Sequence, residues 1–255
     1  MKQAILDHPI LSERYFFPRQ VQLPDPFWVE NRSVRLSCYY YNKFPQAKTV
    51  IYFHGNGETV SDYLQTFVPV FEQMHLNLFL AEYRGYQMST GEPSLVTLLD
   101  DVAPIIQATR QPLDQIVLYG RSIGSLYAIH GASLFPQIPG LILASGIATM
   151  LERVLMRAHP QELGVTMAEL ENDVNTHFNH QEKLARYKGA TLVMHAQHDT
   201  MVHQAHGKAL FQWAPEPKTL KLFEQGDHND IFYVNAQEYF QLINQFISQL
   251  PWKPF

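Results

Sequence analysis

The sequence predicts an α/β domain with a mostly parallel sheet flanked by helices, and three observations carry that prediction. From Thr49 onward, short apolar runs alternate with stretches of helical periodicity, the pattern of parallel strands joined by helical crossovers. Gly120-Arg121-Ser122-Ile123-Gly124 stands between the apolar run Ile116 to Tyr119 and a helix-forming run from Ile123 to Ala132, so a strand, a sharp turn and a helix meet at Ser122. The chain of 255 residues is 46% hydrophobic, enough to bury a substantial core, and no linker divides it, so a single domain over 1–255 is expected.

The elements follow in order. Gln20 to Leu23, Val34 to Tyr41 and Thr49 to Phe53 are extended in character, separated by Pro24, Pro26 and Pro45, and read as an opening antiparallel set. The parallel strands are expected at Val50 to Phe53, Asn77 to Ala81, Ile116 to Tyr119, Leu141 to Ala144, Leu192 to Met194 and Leu220 to Phe223. Between the first two, Val60, Tyr63, Leu64, Phe67, Phe71 and Met74 recur at helical spacing, with Pro69 expected to kink the helix. Leu95, Leu98, Leu99, Val102, Ile105 and Ile106 mark a second helix behind Ser94 as its cap, and Tyr239, Ile243, Phe246, Ile247 and Leu250 mark a closing helix. From Ile147 to Lys188 no strand candidate appears, which is far longer than an ordinary crossover. A capping-box pattern at Thr166 and Glu169, and an amphipathic run over Met150, Leu151, Val154, Leu155 and Met156, predict a small helical cap over 147–188 above the strand ends. The alternative is an enlarged crossover that only packs.

Composition narrows the function. A formal net charge of −5 spread along the chain leaves no basic footprint for nucleic acid. Cys38 is the only cysteine, which excludes an intrachain disulfide and a cysteine metal cluster. Met1 to Pro18 carries Asp7, Glu13 and Arg14 and lacks the apolar core of a signal peptide, and nowhere do 18 uncharged apolar residues run together, so a cytoplasmic protein without an integral membrane segment is expected.

The chemistry is expected at the carboxyl ends of the strands, where open parallel sheets bind ligands. A strained turn lifts the Ser122 side chain clear of the sheet, and small residues two positions to either side avoid a clash. A serine hydroxyl becomes a nucleophile when a histidine takes its proton and a carboxylate orients that histidine. Asp199 follows the strand Leu192 to Met194, and His228 follows the strand Leu220 to Phe223, so Ser122, Asp199 and His228 converge although far apart in sequence. The oxyanion of an attacked carbonyl needs backbone donors, expected from Ile123, directly after the nucleophile, and from Asn56 in His54-Gly55-Asn56-Gly57-Glu58.

These motifs, with Tyr83-Arg84-Gly85-Tyr86, Ser89, Gly91, Pro93, Ser94 and the run Gly226 to Asp230, resemble those of alpha/beta-hydrolases of the serine-hydrolase type, over nearly the whole chain. The likeness is to small bacterial hydrolases related to ABHD-type lipid hydrolases and monoacylglycerol lipases. It implies a catalytic Ser122, Asp199 and His228, no cofactor, and hydrolysis of carboxylic esters, thioesters or amides. Gln87 stands where that family usually has Gly, and His203 where Pro is common. The leading expectation is a serine hydrolase acting on a small-molecule ester with an apolar acyl group. A thioesterase or deacylase of acylated proteins, and a catalytically silent binding protein with the same fold, are the competing expectations.

Blander roles for the same residues are a tight structural turn at Ser122 and helix caps or loop anchors at Asp199 and His228. Asp227, Asp230 and Glu58 are rival acids, Asp230 being placed as the cap of the closing helix. His195, His198, His203 and His206 invite a metal reading, but a strand, loop and helix would point their rings apart, so no metal is expected. Tyr83 to Tyr86 is expected to brace the oxyanion loop.

Overall fold

The computed structural model describes residues 4–251. Eight strands form one sheet: β1 (Phe27–Asn31), β2 (Val34–Tyr41), β3 (Thr49–Phe53), β4 (Asn77–Ala81), β5 (Ile116–Arg121), β6 (Gly140–Ala144), β7 (Ala190–Ala196) and β8 (Lys218–Phe223). Their spatial order is β1-β2-β4-β3-β5-β6-β7-β8. β1 pairs antiparallel with β2 and β2 with β4, and every pairing from β4 to β8 is parallel.

Because side chains alternate across a strand, each central strand feeds two cores. Ile51, Phe53, Leu118, Leu141, Leu143 and Val193 face one layer with α1 (Pro9–Tyr15), α3 (Leu99–Ala108) and α4 (Gly124–Leu134). Val50, Tyr52, Val117, Tyr119, Ile142 and Met194 face the other, with α2 (Phe67–Gln73). The sheet is thus covered on both faces, and its free chemistry is confined to the strand ends.

The opening of the chain differs from the sequence expectation. Gln20 to Leu23 forms no strand; the first strand is Phe27–Asn31, and Thr49–Phe53 runs parallel to both neighbours. Two prolines flank the short run at Gln20 and leave it as a connector. Pro69 falls in the first turn of α2, where a missing N–H costs nothing, and the helical stretch before it is a separate 3₁₀ turn at Val60–Tyr63. Ser94 does not cap α3 by its side chain; Asp7 Oδ1 instead accepts the Val96 and Thr97 amides at 2.8 and 3.2 Å, a partner too distant in sequence to be read from it.

The long interval holds α5 (Met150–Leu155), α6 (Met167–Phe178) and α7 (His180–Arg186), with the Thr166–Glu169 capping box in place at the start of α6. α7 packs beside α4 and α8 (Ala205–Trp213), as a crossover helix does, whereas α6 packs on α5 and on the turn at Ile5–Asp7. α9 (Ile231–Val234) and α10 (Ala236–Ser248) close the chain. Among the described residues no helix is long and apolar enough to cross a membrane.

Candidate active site

β5 ends at Arg121, and Ser122 turns the chain into α4 with φ of 52°, a left-handed conformation that a non-glycine residue holds only under strain. The flanking glycines are sterically required. A Cβ on Gly124 would stand 2.0 Å from the Phe53 carbonyl oxygen, and one on Gly120 would stand 2.4 Å from the Gly124 oxygen. The turn is fixed by Ser122 N–H donating to Ala144 O at 2.9 Å.

Ser122 Oγ–H donates to His228 Nε2 at 2.9 Å, and His228 Nδ1–H donates to Asp199 Oδ2 at 2.8 Å. His228 comes from the loop between β8 and α9, and Asp199 from the loop after β7, so strand ends supply all three. The carboxylate accepts at Nδ1 and so leaves Nε2 free to take a proton. Asp199 Oδ1 is held by the Met201 and Val202 amides at 3.0 and 2.7 Å. Burial works to raise the Asp199 carboxyl, but hydrogen bonds from His195, His228 and the Val202 amide outweigh it and hold the group well below the usual carboxylate range.

The rival acids are engaged elsewhere. Asp227 accepts the Thr200 amide and hydroxyl, each at 2.7 Å, and the His228 amide at 2.6 Å, so it shapes the loop. Asp230 Oδ1 accepts the Asp227 amide at 2.6 Å and precedes α9; the residue before the closing helix α10 is Asn235, not Asp230. Glu58 is ion-paired with Arg121. His195 is buried with Nε2 at 2.7 Å from Val202 O, while His203 is exposed and Nδ1 accepts the Ala205 amide at 3.3 Å. Among the described residues no three metal-ligating side chains gather.

The Asn56 and Ile123 amides donate to no protein acceptor among the described residues. The Asn56 side chain is committed: Nδ2 donates to Tyr15 O, and Oδ1 accepts from Tyr86 Oη at 2.8 Å and from the Phe17 amide at 3.3 Å. Tyr83 Oη donates to His54 O at 2.7 Å, so both tyrosines of the Tyr83-Arg84-Gly85-Tyr86 turn brace the His54–Gly57 loop. Gln87 lies outside this site. It is buried with φ of 54°, Oε1 accepting from Ser61 N and Oγ at 3.1 and 2.6 Å and Nε2 donating to Ser37 O at 3.0 Å.

No family model matches the chain. Alpha/beta hydrolase domain-containing protein 17C of Mus musculus is 28% identical over 251 residues, covering 94% of this chain and 74% of that one. The corresponding protein 17B of Xenopus laevis is 25% identical over 224 residues, covering 86% and 73%. An esterase from Pyrococcus furiosus superposes with a TM-score of 0.71 at 16% identity, over 91% of this chain and 98% of its own. The chain has the alpha/beta-hydrolase fold. Est1E from Butyrivibrio proteoclasticus, solved with ferulic acid bound, has the same fold with a TM-score of 0.70 at 14% identity, over 88% of this chain and 100% of its own.

Three residues that brace this candidate site were not singled out by the sequence: Tyr15, Phe17 and Arg121. Tyr15 and Phe17 enter from the N-terminal segment through backbone atoms, which carry no side-chain signature. Arg121 had a signal: a charge closing the apolar strand Ile116–Arg121 implies a buried partner.

Proposed function

We propose that this alpha/beta-hydrolase cleaves carboxylic esters through an acyl-enzyme on Ser122. The observation that carries the reading is the unbroken hydrogen-bond series from Ser122 Oγ through His228 to Asp199. Ser122 Oγ attacks the carbonyl carbon as His228 Nε2 takes its proton, Asp199 stabilises the imidazolium, and the Asn56 and Ile123 amides receive the oxyanion. The C–O bond to the leaving group then breaks, and His228 returns the proton to the departing alcohol. Water attacks the acyl-enzyme with His228 again as base, releasing the acid and restoring the Ser122 hydroxyl. The substrate is a small-molecule ester with an apolar acyl group, and the esterases among the structural neighbours agree with that class.

The cap reading belongs to this proposal. Arg153 on α5 donates to Met201 O at 2.8 Å, and Ile147 N donates to Ser125 Oγ at 3.0 Å, so the start of the insertion is tied to the acid loop and to the helix behind Ser122. α5 and α6 form the cap, with α7 serving as the crossover.

A fluorophosphonate probe, which reacts with activated serines, tests the reading. The expected outcome is labelling of the wild type and none of Ser122→Ala, with ester turnover lost in parallel. A folded wild type that stays unlabelled overturns the reading in favour of a silent binding protein, and equal labelling of Ser122→Ala moves the nucleophile elsewhere.

A further inference from the structure

Arg121 directly precedes Ser122 and is 2% exposed. Its Nη1 is ion-paired with Glu58 Oε1, and its Nη2 donates to His228 O at 2.7 Å and to Asn229 Oδ1 at 3.2 Å. Glu58 Oε2 in turn accepts the Gly55 amide at 2.6 Å and the Tyr63 hydroxyl. One ion pair therefore touches the loop that carries the Asn56 amide, the turn that carries Ser122, and the loop that carries His228. The fit is close: a Cβ on Gly55 would stand 2.4 Å from Arg121 Nη1.

A buried ion pair is a poor source of stability, because desolvation consumes most of its Coulomb gain, and apolar side chains would fill the same space at least as well. What apolar packing cannot supply is a forked donor that binds a carboxylate and a backbone carbonyl at once. We propose that Glu58 and Arg121 are positioning residues that hold the His228 loop and the Gly55–Asn56 loop in register about Ser122, and that Glu58 neutralises Arg121 so that His228 can become cationic. This inference rests on the serine-hydrolase reading above. Among the described residues, Asp199 is bonded to the His228 ring and Asp227 to its amide, and His195 Nε2 lies 3.4 Å from the Asp199 oxygen that His228 uses.

The test compares Arg121→Lys and Glu58→Gln with the wild type on a p-nitrophenyl ester, each checked for folding by circular dichroism. Lysine keeps the charge but loses the fork, so kcat is expected to fall roughly 10- to 100-fold with KM within about 3-fold, since misplacement by about an ångström has that cost. Glutamine keeps an acceptor for Gly55 N but leaves the guanidinium uncompensated, so the acid limb of kcat/KM is expected to move down by about 0.5 to 1 pH unit. A folded Arg121→Lys with wild-type kcat overturns the positioning role, and an unmoved acid limb in Glu58→Gln overturns the neutralising one. NMR titration of the His228 ring in the wild type and Glu58→Gln reads the same shift without turnover and applies also if Arg121→Lys does not fold. An unlabelled, inactive wild type defeats the serine-hydrolase reading, whereas an active wild type matched by both variants defeats only the role of the pair.

Discussion

In the proposed mechanism, Asp199→Asn separates the orienting carboxylate from everything else in the site. Asp199 uses its oxygens for different tasks, Oδ1 for the Met201 and Val202 amides and Oδ2 for His228 Nδ1, with His195 Nε2 3.4 Å from that same oxygen. An asparagine that keeps its oxygen on the two amides presents its NH₂ to His228 Nδ1. The imidazole must then accept there and carry its proton on Nε2, facing Ser122 as a donor when a base is needed. Flipping the amide would repair the tautomer but set its NH₂ against two backbone N–H groups. Two hydrogen bonds at about 1–2 kcal/mol each make that form a small minority. The expected loss in kcat is about 10⁴-fold, the magnitude the same substitution has in the serine-protease triad, equivalent to about 5.5 kcal/mol of transition-state stabilisation. The assay is kcat on p-nitrophenyl butyrate, with the thermal midpoint measured beside it. A folded Asp199→Asn enzyme within tenfold of the wild type refutes the reasoning. Asp227 would then have to release Thr200 to serve as the acid.

Two further outcomes concern the insertion and the helix α4 beside which its α7 packs. Burial beside Lys183 pushes His130 down to about 3 and, again by burial first, His180 well below its ordinary range, so the unfolded chain takes up protons near pH 6.5 that the folded chain refuses. Stability therefore falls as pH drops below about 6.5, His130 alone contributing about 1.4 kcal/mol of loss at pH 5.5; urea melts should show the decline, and His130→Gln should be less sensitive by that amount, an identical pH dependence refuting the assignment. Leu151 and Leu155 are partly buried on α5, and if the cap lines the acyl pocket, replacing both by Ala should lower kcat/KM roughly 10-fold for an octanoyl ester and less than about 3-fold for acetyl, given about 0.8 kcal/mol per buried methylene. Equal losses on the two esters would make the insertion a packing element only.

The central parallel strands were legible because they are buried on both faces, which forces continuous apolar runs such as Val50 to Phe53 and Ile116 to Tyr119. The antiparallel edge was not. β1 reads Phe-Trp-Val-Glu-Asn with one buried residue, Val29, and its pairing with β2 is settled by the two-residue connection at Arg32 and Ser33 rather than by periodicity. At the site, Ser122, Asp199 and His228 could be placed from strand ends alone, since side-chain chemistry and topology coincide there. The network around them depends on contacts over long separations, such as Arg121 to His228 and Asn56 to Tyr15, which no local pattern encodes.

Gln87 shows how a departure from a family pattern can be resolved physically. The position has φ of 54°, which explains the glycine expected there by resemblance, since a side chain in that region costs about 1 kcal/mol. Glutamine offsets that strain with bonds to Ser61 N, Ser61 Oγ and Ser37 O, tying the start of the 3₁₀ turn at Val60–Tyr63 to β2. At about 1 kcal/mol per bond, Gln87→Gly gains about 1 and loses about 3, for a net destabilisation of about 2 kcal/mol. Gln87→Ala loses the same bonds and keeps the strain, so it should be worse by about 1 kcal/mol. Chemical denaturation of the three proteins measures both differences. A glycine variant as stable as the wild type would mean that the side-chain bonds contribute nothing, and an alanine variant equal to glycine would mean that the turn is not strained.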